Sequence, residues 1–314
     1  MKFLDAEEVR DRLDLGQLDI ALETAMKDVS RGATSIPARI AAHVEGKGLL
    51  AAMPGYVPSL GVLEAKLVAL FPGNADPIPT HLTVIVAFDP NSGAPLAVME
   101  GDDITTLRTA AGSALATRLL AREDSRVVAI LGTGVQAKAH ARAMMRVRAV
   151  DRILVAGRSP HKVAAMVSEL ESELPVEASD WESAVRSADI VCAATHPDRP
   201  VVRGEWLRPG THVNSVGLSS HGAEVDQLAL RMAHVFVEHR ATAVMPMPTG
   251  ANELDQAIRE ATLSLDEITE IGEVLLGTRP GRTSADEITL YKSVGIAAQD
   301  AAGVAVILAS FRDR

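Results

Sequence analysis

Apolar residues recur three and four positions apart over residues 5–30, the spacing of amphipathic helices. From 37 to 100 the pattern changes. β-rich runs, Lys66-Leu67-Val68-Ala69-Leu70-Phe71 and His81-Leu82-Thr83-Val84-Ile85-Val86-Ala87-Phe88, alternate with turn signals at Gly46-Lys47-Gly48, Pro54-Gly55, Pro72-Gly73-Asn74 and Asp89-Pro90-Asn91-Ser92-Gly93. That alternation predicts an antiparallel or mixed sheet with hairpins, with Lys66 opening a strand. An Ala-, Leu- and Thr-rich stretch over 104–121 predicts a helix, with Asp102 and Asp103 as residues that cap its start.

Beyond this helix, strands and helices alternate. Val127-Val128-Ala129-Ile130-Leu131 is a short, continuous apolar run, as expected for a strand buried on both faces of a parallel sheet. A glycine-rich turn and a helix to about Val147 follow it. Strands over 153–156, 190–194, 212–216 and 235–237, with a helix over 160–172, extend the series. The pattern predicts an α/β fold: a Rossmann-type doubly wound parallel sheet preceded by a smaller α+β domain. Residues 284–311 read as a turn followed by a helix, and no internal repeat is visible.

The turn after the first of these strands reads Gly132-Thr133-Gly134-Val135-Gln136-Ala137. Strand, G-x-G-x-x-A and helix in direct succession form the context that makes this motif informative. Gly132 permits the tight turn, Gly134 lets main chain approach a pyrophosphate, and Ala137 allows close packing of helix on strand. The helix start offers unpaired N–H groups and partial positive charge to phosphates. A domain of this type that prefers NAD carries a carboxylate about 20 residues later, on the ribose 2′-hydroxyl. Here the corresponding strand ends Val155-Ala156-Gly157-Arg158-Ser159, without a carboxylate. Arg158 and Ser159 suit a 2′-phosphate by charge and by a hydroxyl donor. The expected cofactor is therefore NADP(H), with NAD(H) as the alternative.

Composition narrows the class. A formal net charge of −10 argues against a nucleic-acid partner, and 3% aromatic residues argue against base stacking. No apolar run reaches the roughly 18 residues of a membrane span, and the N-terminus lacks a signal-peptide pattern. The single cysteine, Cys192, lies in an apolar run and reads as inert core. It fits a reducing, cytoplasmic setting. The nine histidines show no metal-ligand spacing, so no metal site is expected, and no G-x-S-x-G elbow is present.

Three basic residues stand in apolar or tightly turned contexts: Arg39 after Ser35-Ile36-Pro37-Ala38, Lys66 before Leu67-Val68, and Arg108 in Leu107-Arg108-Thr109-Ala110-Ala111. Any one of them reads more readily as a snorkelling surface side chain. Three in one region suggest an anionic pocket suited to a carboxylate. Together with Met53-Pro54-Gly55-Tyr56, Asp189-Ile190-Val191-Cys192-Ala193-Ala194-Thr195, Asn214-Ser215-Val216-Gly217 and Tyr291-Lys292-Ser293-Val294-Gly295, these stretches resemble the ornithine cyclodeaminase/mu-crystallin family over nearly the full length.

The resemblance implies a substrate-binding and dimerisation domain over 1–117, to which a helix over 296–314 returns, and a dinucleotide-binding domain over 118–295. It implies a homodimer. It places Arg39, Lys66 and Arg108 on the substrate carboxylate beside the nicotinamide. Thr109 falls on a phosphate or substrate contact, Val294 and Gly295 on a turn near the nicotinamide ring, and Thr195 and Val216 among the cofactor contacts. Cyclodeaminases of the family carry an aspartate two residues after the Asn-x-x-Gly glycine, whereas this chain has Ser219 there. A serine hydroxyl is a poor base near neutral pH, which points toward the ketimine-reductase branch, although His221 or Glu224 could replace the aspartate. The expected reaction is NAD(P)H-dependent reduction of a small cyclic ketimine or 2-imino carboxylate, of the pyrroline- or piperideine-2-carboxylate type. Ser219 is then a substrate contact. Arg39, Lys66 and Arg108 are the catalytic set, with Lys66 steering or donating the proton. The alternatives are ornithine cyclodeaminase, an alanine dehydrogenase-like enzyme, and a non-enzymatic NADPH-binding protein.

Overall fold

The computed structural model describes residues 1–75, 77–219 and 222–311. They fall into two compact units, 1–108 with 295–311, and 109–294. The first holds β1 (Lys2–Leu4), α1 (Ala6–Arg12), α2 (Leu15–Ser30), β2 (Ile40–Val44), β3 (Gly48–Val57), β4 (Val62–Leu70), β5 (His81–Phe88) and β6 (Pro95–Glu100). Next comes α3 (Asp102–Leu120), whose first turns belong to this unit and whose remainder belongs to the second. The second unit continues with β7 (Val127–Leu131), α4 (Val135–Val147), β8 (Arg152–Ala156), α5 (Pro160–Leu170), β9 (Val176–Ala178), α6 (Trp181–Ser187), β10 (Ile190–Ala193) and β11 (His212–Ser215). It is completed by α7 (Gln227–Met232), β12 (Ala233–Val237), α8 (Arg240–Ala243), α9 (Asn252–Arg259), β13 (Thr269–Glu270), α10 (Ile271–Leu276) and β14 (Ile288–Lys292). The chain then re-enters the first unit as α11 (Ala297–Ala309).

In the first unit the sheet order is β1-β6-β5-β4-β3-β2, antiparallel except for the parallel β1–β6 pair. Lys66 lies mid-strand in β4 rather than at its start. Val62, Glu64 and Lys66 alternate onto the buried face, the period-2 consequence of the pleat. Helix α11, packed on β3 and β4, is made almost entirely of small and aliphatic residues; ten of its residues are buried, Gln299 and Asp300 among them. Smallness sets how closely it lies: a Cβ on Gly55 would come 2.6 Å from the Ala297 Cβ, and one on Gly303 would come 2.7 Å from Ile104 Cγ2. Asp102 and Asp103 occupy the first turn of α3 rather than its cap, where carboxylates favour the helix dipole.

The second unit is a wholly parallel sheet, ordered β13-β12-β14-β11-β10-β7-β8-β9. From β7 the chain builds outward to β8 and β9, then returns to lay β10 on the other side of β7. That reversal makes the carboxyl ends of β7 and β10 the switch point at which such sheets bind ligands. Core residues Val128, Ile130, Ala137, Ala141, Met144, Val155, Met166, Ile190 and Cys192 pack around it. A further expectation fails: 284–311 is not simply turn then helix. Ile288–Lys292 forms β14, a fully buried strand between β11 and β12. Among the described residues no helix is long and apolar enough to cross a membrane.

Candidate active site

The turn at 132–134 leaves β7 at the switch point. Gly132 has φ 124°, and a Cβ there would lie 2.5 Å from the Ala194 carbonyl oxygen, so glycine is required on two counts. Around Gly134 the result is the opposite, since a Cβ there would meet nothing within 4 Å. Gly134 is the N-cap of α4 and no side chain caps it, so the N–H groups of the first turn point outward beside Val135, which is 65% exposed. An open cradle at an uncapped helix start fits a pyrophosphate, whose charge the roughly half-unit positive end of the helix would favour. Ala137 is fully buried in the core behind this turn. Thr133 and Gln136 are half-buried, and the Gln136 Oε1 has no partner among the described residues.

At the end of β8, Arg158 is exposed, and Ser159 caps α5 by accepting from the Lys162 N–H at 3.4 Å. After β10 and β11 the loops are tied by a carboxylate. The buried Glu224 accepts from the Thr195 N–H (2.7 Å), the Thr195 hydroxyl (2.8 Å), the Ser215 hydroxyl (2.7 Å) and the Gly217 N–H (2.7 Å). Four donors saturate it, so Glu224 is a strut and not a replacement base, and both Thr195 donors point to it. Lys292, fully buried at the end of β14, donates to Ser215 Oγ at 3.0 Å and to the Gly217 carbonyl at 2.6 Å, and pairs with Glu253 at 2.9 Å. Glu238 accepts from the Ser293 hydroxyl and from the Val294 N–H at 3.3 Å. Val216 is half-buried, and its N–H donates to the Ala193 carbonyl. Ser219 is half-buried, with its carbonyl accepting from Asn252 at 2.8 Å; Thr109 is buried in α3. His221 lies outside the described residues.

The three cations gather within the first unit. Lys66 Nζ lies 3.0 Å and Arg108 Nε 2.9 Å from the same oxygen, Asp300 Oδ1, and all three side chains are buried. Arg108 Nη1 also donates to Gln299 Oε1 at 2.8 Å, and Lys66 to the Thr105 hydroxyl at 3.3 Å. Arg39, half-buried, donates to the Gly295 carbonyl at 2.9 Å. Gly295 has φ 71°, and a Cβ on it would sit 3.0 Å from Arg108 Nη2. Asp300, Gln299 and Glu64 escape the sequence reading. The available signal was a lone aspartate in the otherwise apolar run of α11.

Burial pulls the Lys66 ammonium down to about 8, against the opposing pull of Asp300. Burial also works against the Asp300 carboxylate, but Arg108 and Lys66 outweigh it and hold the group below its ordinary value. Two cations facing one carboxylate leave a buried positive charge, which an incoming carboxylate would neutralise.

The ornithine cyclodeaminase/mu-crystallin family model matches residues 1–314. The mouse ketimine reductase mu-crystallin is 34% identical over 305 residues, 95% of this chain and 93% of that protein. A solved structure of Thermococcus litoralis Δ1-pyrroline-2-carboxylate reductase with NADH and L-proline superposes with a TM-score of 0.92 at 31% identity, covering 100% of this chain and 98% of that one. An archaeal alanine dehydrogenase dimer with bound NAD gives 0.92 at 29% identity, covering 100% and 96%. With its whole length matched, the chain belongs to the ornithine cyclodeaminase/mu-crystallin family.

Proposed function

We propose that the chain is a nicotinamide-dependent oxidoreductase that reduces a small cyclic ketimine carboxylate, of the pyrroline- or piperideine-2-carboxylate type, to the cyclic amino acid. The observation that carries this reading is the gathering of Arg39, Lys66 and Arg108 about Gly295 and Asp300 with a surplus of buried positive charge. A guanidinium fork and an ammonium suit a planar carboxylate attached to the reacting carbon. The relatives named for ketimine and pyrroline-2-carboxylate reduction support the substrate class.

The open turn at Gly134 and the start of α4 would hold the dinucleotide diphosphate, with Arg158 and Ser159 on the adenosine ribose. The absence of a carboxylate beside Arg158 favours NADP(H). When bound, the reduced nicotinamide supplies the hydride. The chain's own residues fix the substrate: Arg39, Lys66 and Arg108 hold its carboxylate, which makes reaction with the cofactor effectively intramolecular. Ser219 at the position of the cyclodeaminase aspartate offers no base, which disfavours ammonia loss.

A second copy of the chain is the expected partner. The outer face of the first unit's sheet carries cross-strand rows Leu50–Ala69–Leu82 and Ile40–Ala52–Leu67–Val84, and Ile40 is 70% and Leu50 47% exposed. An apolar sheet face of this kind suits an isologous dimer. The buried thiol of Cys192, pushed up to about 12 by burial, suits a reducing cytoplasm without depending on it.

The deciding experiment is oxidation of NADPH and of NADH with pyrroline-2-carboxylate, piperideine-2-carboxylate, and pyruvate plus ammonia. Turnover is expected with a cyclic imine and faster with NADPH. Turnover with pyruvate and ammonia alone, or ammonia release from ornithine, would replace this reading.

A further inference from the structure

Glu64 has no place in the scheme so far. It is 1% exposed, and neither carboxyl oxygen has a hydrogen-bond partner among the described residues. The sheet register explains why. Glu64 faces Gly55 on β3 and Ala87 on β5, neighbours without side-chain donors, and its Oε1 lies 3.3 Å from where a Gly55 Cβ would be. A buried, unpartnered carboxyl is costly to keep. On β4 it stands two residues from Lys66, on the same face, and the charged groups acting on it are Lys66 on β4, Arg108 on α3 and Asp300 on α11.

We propose that Glu64 is the acid that protonates the substrate's imino nitrogen. This rests on the imine-reductase reading above. Charge balance favours Glu64 over Lys66 for the task. With Glu64 neutral, the buried Lys66 and Arg108 exceed Asp300 by one positive charge, to which the half-buried Arg39 adds a second; with Glu64 ionised the buried groups balance and only Arg39 is left to face the substrate carboxylate. Lys66 is also engaged, donating to Asp300 and Thr105, and losing its proton would remove a cation from the carboxylate during the reaction. A neutral Glu64 has an O–H with nothing else to meet. Burial first, and then Asp300, push this carboxyl well above its ordinary value, against the opposing pull of Lys66 and Arg108.

The step balances. Hydride from the reduced nicotinamide forms the new C–H bond, the C=N π electrons move to nitrogen, and nitrogen takes the Glu64 proton. A carboxylate is left facing the product amine, and water restores the proton after release.

The test compares wild type with Glu64→Gln, which keeps the shape but carries no transferable proton. With pyrroline-2-carboxylate, kcat should fall about 100-fold or more, the range for loss of a general acid, while the Kd values for NADPH and for pyrrole-2-carboxylate stay within about twofold. Wild-type kcat should decline as pH rises and Glu64 ionises, and the variant's residual kcat should not. Infrared spectra give a readout without turnover: a protonated-carboxyl band in the free protein, absent from Glu64→Gln, should convert to carboxylate when L-proline binds. An active wild type with kcat in Glu64→Gln within about threefold, or a band that L-proline leaves unchanged, overturns the role of Glu64 alone. A wild type inactive on every cyclic imine overturns the parent reading, and this one with it.

Discussion

The turn at 132–134 offers a ligand main chain, whereas the Lys66–Arg108–Asp300 cluster would meet one with side chains. In the first, everything needed is contiguous: a buried strand, two glycines and an uncapped helix start. In the second, Lys66 and Asp300 are 234 positions apart, and Arg108 and Asp300 are 192 apart. The main-chain site places no charge in the protein interior and leaves the apo fold unburdened. The side-chain site buries three charges, and only their mutual pairing makes that tolerable. The two should therefore fail differently when altered.

The largest expected effect is on stability. Asp300→Asn leaves Lys66 and Arg108 buried without their shared counter-charge, and unfolding free energy should fall by about 3–5 kcal/mol in a urea titration. A loss below about 1 kcal/mol would show that the cluster tolerates unpaired cations and would erase the contrast with the turn. Lys66→Ala comes next. If Lys66 holds the substrate carboxylate as proposed, the variant loses a charge-assisted contact, and kcat/KM should fall roughly 100-fold while the dinucleotide Kd is unchanged. Unchanged kcat/KM would remove Lys66 from the site.

The glycines sharpen the comparison from the other side. Gly134→Ala adds a methyl to open space, so unfolding should shift by less than about 1 kcal/mol while the dinucleotide Kd rises about tenfold or more. Gly132→Ala instead meets the Ala194 carbonyl at an unfavourable φ and should destabilise the apo protein by about 1–3 kcal/mol. If both variants behave alike, the open cradle at Gly134 is not a binding surface.

The same difference explains what the sequence disclosed. Strands β7, β8, β10, β11 and β12, the glycine turn and the three cations stood out because each carries its cue locally: an apolar run, a glycine spacing, a charge among aliphatics; the short, mostly exposed β9 at the sheet edge carries none. Strand β14 did not, because Ile288-Thr289-Leu290-Tyr291-Lys292 is short, carries polar residues, and ends in a lysine that only the Ser215–Glu253 surroundings make buriable. Its place between β11 and β12 is out of chain order and has no local signature. Asp300 and Glu64 were hidden for a related reason. A charge reads as solvated until the fold supplies its partner, and the partners of Asp300 come from two other segments. Glu224 read as a spare base, and only the four donors converging on it reveal a strut.

The smallest expected effect is a pH dependence confined to the side-chain site. Lys66 titrates near 8 in the folded protein because burial disfavours its ammonium. Below that value the charged form is present and a carboxylate binds; above it the cation is lost and affinity declines. Binding of pyrrole-2-carboxylate should therefore weaken about tenfold between pH 7 and pH 9, the change in ammonium fraction for a group titrating midway. Measuring it by calorimetry in Glu64→Gln removes that carboxyl's own titration from the same range. Replacing Lys66 by arginine, which keeps its charge throughout, should flatten the curve. NADPH binding should not follow this profile, because the turn at 132–134 presents N–H groups that do not titrate. A carboxylate affinity that stayed constant from pH 7 to pH 9 with Lys66 intact would mean that this ammonium is not what the anion meets.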